Sequence, residues 1–89
     1  MKMIDWILDN FPEEEILIAD GFDDAIIGLT QTDHVVVYSI NKCIDILIAQ
    51  DMTREDAIEY FDYNVSGAYV GEKTPIWIYT PDNLKEYEV

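Results

Sequence analysis

Cysteine is almost missing from this chain: Cys43 is the only one, so no intramolecular disulfide can form and a zinc site built on cysteines is excluded. A reducing compartment, the cytoplasm, is the setting this implies. Histidine is equally scarce, with His34 alone. Long apolar runs are lacking too, since stretches such as 16–19 and 35–38 fall far short of the roughly 20 residues that a membrane-spanning helix needs. The acids Asp5 and Asp9 interrupt the N-terminal region where a secretory signal would be apolar, so none is expected. Positive charge is the largest deficit. Five Lys and Arg stand against 19 Asp and Glu, giving a formal net charge of −14. Phosphate backbones and anionic lipid surfaces are therefore excluded as direct partners, and a basic protein is the complementary choice.

What is present is enough to fold. The 89 residues fit a single domain, 1–89, and nearly half are apolar, including two Trp, six Tyr and three Phe. Ile4, Ile7, Leu8 and Phe11 recur at helical spacing with Asp5 and Asp9 on the other side, which predicts a first helix ended by Pro12. Glu13, Glu14 and Glu15 then form a solvated connection or cap a further helical turn. The apolar run 16–19 before Asp20 and Gly21 reads as a strand meeting a turn. Residues 25–30 and 35–40 are rich in β-branched side chains, and the polar link 31–34 has hairpin length, so an antiparallel hairpin is expected.

Ser39 is placed to cap a second helix whose stripe is Ile40, Cys43, Ile44, Leu47 and Ile48. Thr53 with Asp56 three residues on has the layout of a capping box and opens a third helix. There Ala57, Ile58, Phe61 and Val65 share one side, and Glu55, Glu59 and Asp62 share another. Gly67 and Gly71 shape the exit, and residues 74–79 alternate as a last strand with Pro75 at its start. Residues 84–89 form a polar tail that frays. The fold class that follows is α+β: a small, mostly antiparallel sheet of three to four strands with about three helices packed on it.

Three stretches, GFDDAIIG at 21–28, KCIDIL at 42–47 and FDYNVSGAYVGEKTP at 61–75, resemble a group of small acidic proteins encoded in tailed-phage genomes. The resemblance spans about two thirds of the chain. It implies a phage accessory protein acting in the host cell cytoplasm, and it carries over no catalytic residue, because no activity is established for the group.

Candidate chemistry is thin. Asp20, Asp23 and Asp24 crowd around Gly21 and offer hard oxygen ligands for Mg²⁺ or Ca²⁺, yet their spacing fits no EF-hand loop, and turn formation or capping accounts for them equally. Gly67, Gly71, Lys73 and Thr74 superficially suggest a phosphate loop, but Glu72 opposes phosphate and the segment leaves a helix to enter a strand, the reverse of what such a loop requires. His34 and Cys43 suggest no dyad, and no serine nucleophile motif is present. The expectation is a protein that is not an enzyme and needs no cofactor or metal.

The acids of the third helix support a sharper idea. B-DNA carries one negative charge per roughly 1.7 Å of axis, and a helix rises about 6 Å every four residues, so a row of acids imitates part of a phosphate array. Glu55, Asp56, Glu59 and Asp62, with Tyr60 and Tyr63 beside them, form the candidate partner-binding surface. Tyr69 belongs with the same group. The competing interpretation is a solvated helix face with tyrosines edging the core. A nucleic-acid mimic inhibiting a host nuclease or defence complex, a homo-oligomer pairing through the apolar strand 76–79, and a metal-assisted hydrolase built on the three aspartates are the alternatives.

Overall fold

The computed structural model describes residues 2–68 and 71–81; Tyr69 and the tail 84–89 lie outside the described residues. Helix α1 (Met3–Asn10) buries Ile4 and Ile7, while Leu8, which the periodicity assigns to the same stripe, is exposed. An eight-residue helix at the margin of a sheet touches it along a narrow i, i+3 line, and Leu8, about 40° past Ile4 and about 100° from Ile7, falls outside it. A 3-10 turn, Asp23–Ala25, leads into strand β1 (Ile26–Leu29), which pairs antiparallel with β2 (Val36–Ser39). This is the hairpin expected from the sequence. Ile26 faces Tyr38 and Gly28 faces Val37, so Ile27 is the extra residue of a bulge that sharpens the local twist.

Ser39 is buried and caps helix α2 (Ile40–Ala49), its Oγ accepting from the Lys42 backbone N–H at 3.2 Å. Cys43, Ile44 and Leu47 form the buried stripe, with Ile40 and Ile48 packed at its border. Thr53 caps helix α3 (Arg54–Phe61) by accepting from the Asp56 N–H at 3.1 Å. Only that half of the expected capping box forms: among the described residues, the Asp56 carboxylate returns no bond to Thr53. The chain then winds on as a π-helical turn, Asp62–Ser66, before Gly67, where a Cβ would meet the Asp62 carbonyl oxygen at 3.0 Å. A side chain there would press on that carbonyl, and glycine avoids the contact.

Strand β3 (Ile76–Ile78) lies beside β2 and runs parallel to it, so the sheet is mixed, in the order β1-β2-β3. The parallel sense follows from the connection: α2 and α3 carry the chain back along the sheet before β3 begins, whereas the direct β1 to β2 turn reverses it. The run 16–19, read as a strand, forms no strand. It crosses the core instead, with Ile16 and Ala19 packed on it and the Ala19 N–H donating to the buried Tyr38 hydroxyl at 2.7 Å.

The core is centred where sheet and helices meet. Tyr38 and Trp77 are register partners on one face, their rings stacked at 4.7 Å, and Phe61 meets Trp77 edge-on at 5.3 Å. One aromatic trio thus joins β2, β3 and α3. Burial alone pushes the Cys43 thiol up to about 12. We expect no reaction between Cys43 and a disulfide-exchange reagent in native buffer and full labelling after guanidinium unfolding. Prompt labelling of the native protein would place the sulfur at the surface and contradict the packing of α2.

Candidate partner-binding surface

Every residue of the surface singled out in the sequence sits on α3 or its π-helical continuation, and all are exposed: Glu55, Asp56, Glu59, Tyr60, Asp62 and Tyr63. Their placement follows from the buried side of the helix. Ala57 and Phe61 point into the core, and at 100° per residue Glu55, Glu59 and Asp62 fall within about 60° of one another on the far side. Asp56 and the tyrosines occupy the flank between. Tyr63 is 80% exposed and Tyr60 is 43% exposed, so neither is a core-edge residue. Ile58, read as core, is on the opposite flank and 41% exposed, because an eight-residue helix lying on a sheet has two buried positions per turn at most.

The electrostatics along the row are uneven. Glu55 and Asp56 lie in the first turn, where the helix dipole favours anions. Glu59 and Asp62 do not share that advantage. Each repels the acid three or four residues before it, and no basic residue stands in the last turn of α3 to offset them. Among the described residues, the carboxylates in ion pairs are Asp24, with Lys2 at 3.4 Å, and Glu14, with His34 and Lys73; those of α3 have none.

The other candidates resolve differently. Asp20, Asp23 and Asp24 do not converge: among the described residues, no group of three or more His, Cys, Asp or Glu is arranged to hold a metal ion. Asp24 turns to Lys2, and Gly21 takes the left-handed φ of +89° that the turn requires. The geometry therefore gives no footing to the hydrolase alternative built on these aspartates. Lys73 and Thr74 do not form a phosphate cradle either. Thr74 donates its hydroxyl to the Gly71 carbonyl at 2.6 Å, and Lys73 donates to the Asp33 carbonyl and pairs with Glu14 at 3.7 Å.

One cluster escaped the sequence reading. His34, with a left-handed φ of 53°, is half-buried against the Phe11 ring at 4.6 Å, and its Nδ1 lies 2.8 Å from a Glu14 carboxylate oxygen. Glu14 thereby links the stretch after α1 to the hairpin loop, and through Lys73 to the approach to β3. Twenty residues separate Glu14 from His34, so no local spacing could have signalled the pair. The His34 hydrogen bond, helped by the charges of His34 and Lys73 and opposed by partial desolvation, holds the Glu14 carboxyl below its usual value of 4.5. A depressed carboxylate stabilises the fold above its unfolded pKa and loses that contribution as pH falls through the folded value, so this contact weakens below pH 4.5. We expect Glu14→Gln to lower stability modestly at pH 7, where the contact is fully formed, and to leave it unchanged at pH values below the folded pKa, so that this part of the acid dependence of unfolding disappears. Identical acid transitions in the two proteins would contradict the contact.

No helix of the described residues is long and apolar enough to cross a membrane. Comparison of the chain with family models, with curated proteins and with solved structures gave no match.

Proposed function

We propose that this chain is a non-enzymatic accessory protein, encoded by a phage and acting in the host cytoplasm, that binds a basic protein through the acidic, tyrosine-bearing face of α3. The observation that carries the reading is the row Glu55, Glu59 and Asp62: outward-facing, without ion-pair partners among the described residues, and mutually repelling at helical spacing. Tyr60 and Tyr63 add large rings with polar tips beside the charge, the combination that protein interfaces favour. The sharper form of the proposal is mimicry of a phosphate array to occupy the basic groove of a host nuclease or defence complex.

Affinity capture from host lysate at low and physiological salt tests it. We expect a basic partner that is retained at low salt, released as salt rises and, under the mimic form, displaced by duplex DNA. Absence of any salt-sensitive partner at low salt would falsify the proposal. A second reading, self-association, draws on β3: it is an edge strand whose Ile76 and Ile78 are 42% and 39% exposed on the side away from Trp77. Sedimentation that stays monomeric over a wide concentration range removes it.

A further inference from the structure

Three features converge at the flank of α3 that carries Tyr60. The first is backbone. Among the described residues, the N–H and C=O groups of Ile16, Leu17 and Ile18 make no hydrogen bond within the protein, although this apolar, β-branched run has the composition of a strand. Only its end is fixed, where Ala19 donates to Tyr38. The second is shape. A groove of about 380 Å³ runs between this run and α3, with Leu17 and Ile18 on one side, Tyr60, Asn64 and Val65 on the other, and Trp77 also lining it. The Trp77 indole N–H is itself buried without an acceptor.

The third is charge. The neighbouring concavities contain cations: Lys2 in one, Lys42 and Arg54 in another, Lys73 in a third. This one has none among its lining residues and includes the exposed Asp20, with Glu15 just before the unpaired run and Asp56 one turn before Tyr60 on α3. An apolar groove with an acid in its lining and a run of unpaired backbone along its side suits one kind of occupant.

We propose that this groove receives an extended, lysine- or arginine-bearing segment of the partner, which adds as a β-strand to residues 16–18 and seats its alternate apolar side chains between Leu17 and Tyr60. Main-chain pairing supplies affinity, and the groove and its flanking acids supply selectivity. The proposal rests on the partner-binding reading and names the partner's form: an extended basic peptide, not a folded basic groove alone. It also accounts for a strand-like sequence that finds no strand to pair with in its own fold.

The test uses the full chain carrying Trp6→Phe, so that Trp77 is the sole tryptophan, with three short synthetic probes. These are a peptide alternating lysine and valine, the same peptide N-methylated at alternate residues so that it cannot pair, and a glutamate–valine version. Titration is followed by Trp77 fluorescence and by amide hydrogen exchange at residues 16–18. The lysine–valine peptide is expected to shift Trp77 emission, to slow exchange at these amides, and to bind at least about tenfold more tightly than either control. Leu17→Pro, which removes a main-chain donor, and Tyr60→Lys, which places a cation at the lip without touching the core, should each weaken it by a similar factor.

Equal binding of the N-methylated peptide, unchanged exchange at 16–18, or absence of binding to the lysine–valine peptide each overturns the groove assignment. So does protection of residues 16–18 that rises with protein concentration and no peptide, which would assign the edge to a second copy. None of these outcomes touches the acidic row of α3, whose own test is capture of a basic partner and its loss on neutralising the row.

Discussion

Replacing Phe61 with alanine is expected to destabilise the protein by about 3–5 kcal/mol, the usual cost of deleting a buried phenylalanine and leaving its cavity. A domain of this size is stable by only about 5–13 kcal/mol, so the loss is a large part of the total. Phe61 is fully packed, closes the aromatic trio with Trp77 and Tyr38, and is the point at which α3 is held to β3. Its removal therefore detaches the acidic face from the sheet as well as weakening the core. Urea unfolding monitored by tryptophan fluorescence measures the effect. A change of less than about 1 kcal/mol would mean that Phe61 is not an anchor and that α3 is seated differently.

The opposite sign is expected for Glu59→Gln combined with Asp62→Asn. Each like-charge pair at helical spacing costs about 0.2–0.5 kcal/mol. Neutralising both residues removes the Glu55–Glu59, Asp56–Glu59 and Glu59–Asp62 repulsions. Their sum is about 1 kcal/mol of added stability at low salt, or a rise in Tm of roughly 4–8 °C. Salt screens these interactions, so the gain shrinks as ionic strength increases. Thermal unfolding of the two proteins in dilute and in concentrated sodium chloride gives the comparison. Charges whose removal strengthens the fold are not there for the fold, and a destabilised double variant would assign them a structural part instead.

How much of this was legible in the sequence depended on whether the determining contacts were local. Ser39 and Thr53 announced their helices because a cap acts on N–H groups three residues away, and both bonds are present. The hairpin was readable from two β-branched runs joined by a short polar link. The strand assignment at 16–19 failed because composition expresses a capacity to pair, whereas pairing needs a neighbour, and the fold gives that run Tyr38 in place of a strand. The parallel placement of β3 was hidden for a related reason: it depends on where two helices deliver the chain, which no local pattern encodes.

The candidate surface divides in the same way. The outward row Glu55, Glu59 and Asp62 follows from helical periodicity and sits where that periodicity put it. The exposure of Ile58, the π-helical turn after Phe61 and the groove beside Tyr60 depend on how α3 lies against the sheet, and they appear only with the coordinates. Glu14, His34 and Lys73 belong to three separate stretches of chain, and the fold alone assembles them.

Quantitative capture from one host lysate, with the natural sequence and the Glu55→Gln, Asp56→Asn, Glu59→Gln, Asp62→Asn variant compared side by side, is the most direct trial of an α3 face turned to a partner. Circular dichroism first establishes that both are folded. The account predicts that at least one basic protein is retained by the former and falls about tenfold or more with the latter, matching the loss of steering and complementary charge. The same proteins recovered in the same amounts by both would contradict it.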